Sequence, residues 1–520
     1  MKKTDDVFSL IKSLSRSEKR YFKLAIARNS IGESSHYLKL FDVIEKAGTA
    51  ERKTIQKLYG DDNFMKKQFK SYKNRLYDQI LNSLSAYHSE GSVDDQILEL
   101  IRKAKILYDK TLYTHATDVL EKAKKIACKY EKQTLLLEIV RWQKEIINNP
   151  SLYGKISEKD ITRLFEEEKL TVHKIENANE YWKPWSLMYL TYHDNGIVRL
   201  QEDIDKYDAI INVPIFKNQE LILSYQAQRD FYSIHYIYSL AVNKDRDAYE
   251  YSKKSIALME AHPNQIEVDP VRYIKVFHNM LLMAQLLKKY AEFFNILPKF
   301  KSMLNRFHEV MNENIRSTVL LSSYNLEFST YVGIGQFQKA ALLLPEIETI
   351  LNEQKNKNTL IALVFNINIV VLYCGNGNYN KALMKLNIIL DNEKNILEHN
   401  IYSFLKAFQL IIHFEKGNRD FLPYLVKSVY RSLLQSKKLY KTESILIRFF
   451  RTSLNKINNK QDQMEAFKSL KEELTIAIED SLEASFLENF DVISWLESKI
   501  ENRPFGEILR EKSGYILEEL

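Results

Sequence analysis

Chain breakers and crosslinkers are scarce in this sequence. Its 520 residues include 13 glycines, 9 prolines and 2 cysteines. So few breakers leave little material for the tight turns of an all-strand protein, and they favour long helices joined by short connections. Cys128 and Cys374 are far apart, with neither a CxxC partner nor a paired histidine. That usage excludes a disulfide framework and reads as two buried small hydrophobes in a reducing compartment, so the expected location is the cytoplasm. No secretory signal is legible, because the acidic pair Asp5-Asp6 stands directly before the short apolar run that starts at Val7. The longest apolar stretch, Leu360 to Cys374, is interrupted by Asn366 and Asn368. It is shorter than the roughly 20 residues a membrane-spanning helix needs, and it reads as a buried helix.

Catalytic signatures are missing as well. The chain has no glycine-rich phosphate loop, GxSxG, HExxH or cysteine–histidine metal spacing. His173 and Glu176 have the spacing of one half of a helical di-metal site, without the second half. Glu166-Glu167-Glu168 reads as a solvated helix surface, His193-Asp194 as a helix end, and His235 as a histidine packed among tyrosines. The tryptophans Trp182 and Trp185 flank Pro184, which is expected to interrupt a helix there and to leave an aromatic core cluster. These features predict no enzymatic activity, no cofactor and no metal.

What is present is hydrophobic material with a period. Hydrophobic residues make up 45% of the chain, enough for a continuous core. Gly335-Gln336-Phe337-Gln338-Lys339-Ala340 is matched by Gly377-Asn378-Tyr379-Asn380-Lys381-Ala382 and, more loosely, by Gly417-Asn418-Arg419-Asp420-Phe421. The glycines recur after 42 and then 40 residues. A fixed period of this size in a helix-rich chain predicts an all-α fold, an α-solenoid of stacked antiparallel helix pairs. Alanines should sit where paired helices cross, since backbones about 8–10 Å apart leave room only for small residues.

The turns at Tyr113/Ala116, Phe337/Ala340 and Tyr379/Ala382, with Ala104 and Ala123 at crossing positions, resemble the tetratricopeptide repeat family. There an aromatic opens the second helix of each pair and an alanine follows three residues later. The resemblance covers residues 92–440. It departs from the family at Phe328 and Val370, which stand where a small residue is usual, in the missing closing proline, and in the longer period. It implies a concave face lined by first helices, where Asn325, Ser329 and Asn368 would meet an extended peptide.

All of the net charge of +7 lies near the start. Residues 1–90 hold 18 Lys and Arg against 11 Asp and Glu, and the remainder holds 57 of each. This asymmetry marks a basic N-terminal helical module that faces nucleic acid or an acidic protein. Five helices are expected there, the second capped by Ser15 or Ser17, with Ser15 and Glu18 at the spacing of a capping box. The fourth, Glu51–Tyr59, a turn at Asp61-Asp62-Asn63 and the fifth, Phe64 to His88, resemble a helix-turn-helix. Lys66, Lys70 and Lys73, with Lys67 beside them, share one face of that fifth helix.

Three regions follow: a basic module (1–90), a tetratricopeptide-like solenoid (91–500) and a C-terminal capping helix (501–520). The expected function is a non-enzymatic scaffold that binds a peptide or protein on its concave face. The alternative is a regulator that binds nucleic acid through residues 1–90 and uses the solenoid as a sensor.

Overall fold

The computed structural model describes residues 6–28, 34–46, 69–88, 92–152, 156–198, 201–307, 313–353, 359–392, 399–435, 441–453, 460–478 and 490–515. Among them are 24 α-helices and no strand. No described helix is long and apolar enough to cross a membrane. The chain divides into two compact units, one of residues 1–186, 213–231 and 259–270, the other of residues 187–212, 232–258 and 271–520.

The first unit opens with α1 (Asp6–Ser13), α2 (Arg16–Arg28), α3 (Ser34–Lys46) and α4 (Phe69–His88). The capping box forms as its sequence requires: the Glu18 amide donates to Ser15 Oγ at 3.2 Å, and the Ser15 amide donates to Glu18 Oε2 at 2.7 Å. Phe8, Ile11, Phe22, Phe41, Leu76 and Ile80 close a core shared by these four helices. The expected helix Glu51–Tyr59 and its turn lie outside the described residues.

Next come α5 (Val93–Asp109), α6 (Tyr113–Lys129) and α7 (Gln133–Ile147), which pack around the buried alanines Ala104, Ala116 and Ala123. In α8 (Glu158–Asn195) the helix runs unbroken through Pro184, against the sequence expectation. A mid-helix proline costs about 3 kcal/mol. Tyr181 and Met188, three residues before it and four after, are fully buried, so packing holds the helix on either side of that defect. The tryptophans also depart from expectation: Trp182 is 52% exposed and Trp185 is half-buried.

The second unit takes in α9 (Gln201–Ile211) and parts of α10 (Tyr225–Ala241), α11 (Asp245–Ala261) and α13 (Pro270–Leu286). The short α12 (Pro263–Val268) belongs to the first unit. Pairs then follow in order: α14 (Tyr290–Arg306), α15 (Glu313–Gly333) with α16 (Phe337–Glu353), α17 (Thr359–Gly375) with α18 (Tyr379–Asn392), and α19 (His399–Glu415) with α20 (Leu422–Gln435). The chain closes with α21 (Lys441–Arg448), α22 (Lys460–Ala477), α23 (Val492–Ile500) and α24 (Phe505–Ser513). One hydrophobic core runs from Leu321 to Leu509, with Ala340 and Ala382 fully buried. His235 stacks on Tyr251 at 4.6 Å, and burial, helped by nearby Lys254, holds its imidazole down at about 4.

One turn geometry joins the pairs. Gly335, Gly377 and Gly417 have φ of 72°, 71° and 80°. In each turn the amide after the glycine donates to a carbonyl five residues back: Gln336 to Tyr331 at 2.8 Å, Asn378 to Tyr373 at 2.7 Å and Asn418 to His413 at 3.1 Å. This is a Schellman closure, which needs a left-handed residue. The same closure recurs without glycine at Thr111, Glu131, Asn243, Lys288 and Asn502, all with positive φ. Lys289 donates to Ala284 at 2.8 Å and Lys244 to Ser239 at 2.7 Å. Among the left-handed turns of the second unit, those at 243, 288, 335, 377 and 417 form a series spaced 45, 47, 42 and 40 residues apart. Lys288 carries the strain of a side chain in this conformation, so Lys288→Gly should stabilise the protein by about 1 kcal/mol, read as a rise in the urea midpoint.

Candidate functional site

Two places on the second unit bring unusual side chains together. The first is a clamp at the end of α19. The Glu415 side chain, 11% exposed, accepts from Trp495 Nε1 at 2.6 Å, Lys499 Nζ at 2.7 Å and Tyr379 Oη at 3.2 Å. Three donors from two helices on one nearly buried carboxylate make a charge-assisted joint. It holds α23 against the turn that begins α18. A cavity of about 220 Å³ beside the joint is lined by Cys374, Tyr379, Glu415, Trp495, Lys499 and Arg503, among others. Its charges are already engaged: Lys499 pairs with Glu415, and Arg503 donates to Glu501 at 3.0 Å and Glu511 at 2.8 Å outside the cavity lining. Burial pushes the Cys374 thiol well above its ordinary range, which keeps it protonated and un-nucleophilic. The arrangement serves to fasten helices and offers no activated group.

From this joint α24 folds back along the repeat turns. Phe505 packs on Phe337 with ring centroids 6.0 Å apart, and Arg510 donates to the Gly335 carbonyl at 2.9 Å. Tyr515 stacks on Phe294 at 5.2 Å. Two glycines make room for this segment. A Cβ on Gly335 would lie 2.4 Å from the Gly506 carbonyl oxygen, and one on Gly375 would lie 2.2 Å from Phe337 Cζ.

The second place is the outward side of the second helices. Seven residues after each of the five turns of that series stand Glu250, Asn295, Leu342, Met384 and Tyr424, whereas the turn at Asn502 places buried Leu509 at this offset. All five are exposed, so this offset marks the solvent side of each second helix. The first two are polar. The last three are large and apolar, exposed to 78%, 61% and 72%. Ile388, one turn beyond Met384, is 48% exposed and widens the patch. Single exposed apolar residues are ordinary, whereas these three recur at one position of three successive repeats and form a row in the repeat register. Sequence reasoning missed this row, although the fixed offset from the repeat glycines was a signal that could have marked it.

The residues expected to act fall elsewhere. Ser329 accepts from Gln285 Nε2 at 2.8 Å and donates to the Leu326 carbonyl, so its hydroxyl is already engaged. Asn325 is half-buried with Oδ1 enclosed and unpartnered, and Asn368 is half-buried on α17. The helices α17 and α19 bury most of their circumference. Lys73 is only 6% exposed, which takes it off the solvent-facing basic surface expected of it. Lys70 lies on α4, and Lys66 and Lys67 lie outside the described residues. Glu167 and Glu168 are not simply solvated: they pair with Lys124 at 2.5 Å and Lys144 at 2.6 Å. Cys128 is exposed, contrary to its expected burial. Among the described residues no group of three His, Cys, Asp or Glu is placed to hold a metal. Comparison of the chain with protein-family models, with curated proteins and with solved structures finds no match in any of the three.

Proposed function

We propose that this chain is a non-enzymatic helical-repeat scaffold of tetratricopeptide-like, solenoid build that docks another protein on the outward face of its second helices. The observation that carries the reading is the row Leu342, Met384 and Tyr424, exposed at one register position in three successive repeats. An apolar surface held in register by a rigid core loses hydration when covered, at about 25 cal/mol per Å², and needs no reordering of the scaffold to do so. The engaged Ser329 and the enclosed first helices favour this face over the first-helix side chains Asn325 and Asn368. Buried Lys73 weakens the alternative of nucleic-acid binding through residues 1–90.

The test compares the full-length protein with the triple variant Leu342→Ser, Met384→Ser, Tyr424→Ser as bait in cell extract, with and without nuclease. The parent should retain a nuclease-resistant protein that the variant retains about tenfold less. Equal recovery by both baits would remove the docking-face reading. Recovery that depends on intact nucleic acid would support the regulator instead.

A further inference from the structure

Charge along the row has an order that points to its occupant. On α16, Lys339 lies three residues before Leu342 and Glu346 four after it. On α18, Lys381 lies three before Met384 and Asp391 seven after it. At α20 the order is reversed: Asp420 lies four before Tyr424, and Lys427 and Arg431 lie three and seven after it. Within the helices, offsets of three, four and seven keep these groups on the same side as the row residue, and Asp420 stands in the turn that leads into α20. Lys339 is half-buried and the other six are exposed. Each outward face thus carries an apolar centre with opposite charges at its two ends.

Such a face is complementary to itself when turned end for end. We infer that it pairs with a second copy of this chain about a two-fold axis running along the row; the inference rests on the docking-face reading above. That axis sets each second helix antiparallel to its own counterpart, with Leu342, Met384 and Tyr424 each meeting itself. Lys339 then faces the counterpart of Glu346, Lys381 that of Asp391, and Asp420 those of Lys427 and Arg431. All three helices gain opposite-sign neighbours, although α20 carries the reverse polarity. A two-fold axis parallel to the helices would instead bring Lys381 against Lys381 and Asp391 against Asp391. Isologous pairing requires this kind of self-complementarity, and electrostatic matching fixes the register of an interface more than its affinity.

Sedimentation equilibrium of the full-length chain over micromolar concentrations is the test. The parent should show a monomer–dimer equilibrium that weakens with added salt. Met384→Glu, which places like charges against each other on the axis, should weaken the dimer by about tenfold or more while helix content is unchanged. Two half-reversed variants give the sharper result. Lys339→Glu with Lys381→Glu, and separately Glu346→Lys with Asp391→Lys, should each lose self-pairing, yet pair with one another when mixed. Failure of that mixed pairing, or a dimer indifferent to Met384→Glu, overturns the inference. A parent that stays monomeric also overturns it. In that case a partner lost from the triple serine variant in extract leaves the docking face standing, and no loss removes both readings.

Discussion

Gly375→Ala is expected to lower stability by about 3 kcal/mol, while Gly377→Ala, two residues away, costs about 1–2 kcal/mol. The contrast separates two reasons for a glycine. Gly377 has a φ of 71° and open space around its Cβ position, so alanine there meets only backbone strain. Gly375 is the last residue of α17, and the Phe337 ring occupies the place of its missing side chain, with three ring carbons between 2.2 and 2.6 Å of an added Cβ. That ring cannot step aside, because Phe505 packs on it and Gly506 lies against its edge. Alanine at 375 therefore displaces Phe337 from the core or lifts α24 from the turns. Urea unfolding of the two single variants measures the difference, and equal midpoints would show that Phe337 is not wedged by Gly375.

The helices were legible because their signals are local. Sparse breakers, the Ser15–Glu18 capping box and the alanines at crossings act within a few residues, and α2, α16 and α18 begin where those signals put them. The repeat was only partly legible. Glycine advertises a left-handed turn, so 335, 377 and 417 stood out, but Asn243 and Lys288 adopt the same conformation without any compositional mark. Asparagine tolerates this conformation, whereas at Lys288 the surrounding pair packing enforces one that the residue itself disfavours. Pro184 misled for a similar reason, since tertiary burial of Tyr181 and Met188 outweighs a local preference. Lys73 followed a charge count, and a count along one helix says nothing of which neighbouring helices close over it. The outward row is the opposite case: its residues sit at a constant offset from the glycines, yet an apolar residue in a helix pair reads as core until the structure shows which side faces water.

Replacing Ala382 by tryptophan should destabilise the protein by about 3 kcal/mol or more. Ala382 lies in the first turn of α18, fully buried, five residues after the left-handed Gly377. The same offset holds buried Ala248 and Ala340 in other repeats, and Phe293 and Leu422 in the remaining two. The position faces the core whatever its size, and its volume is matched to the partner helix rather than fixed by the turn. Ala382 belongs to one continuous buried cluster with the large residues of α17, Val370 and Leu372 among them, so the space left at 382 is small. An indole adds far more volume than close-packed side chains can yield, and the pair must spread or α18 must roll. Asn380→Trp supplies the control. It lies two residues earlier on the same helix, exposed, and should change stability by no more than about 0.5 kcal/mol. Thermal unfolding of the two variants should therefore diverge by several degrees or more, with Ala382→Trp the lower. Should Ala382→Trp melt with the parent, the five-residue offset would not mark the helix crossing, and the outward offset of seven on which the self-pairing face is built would fall with it.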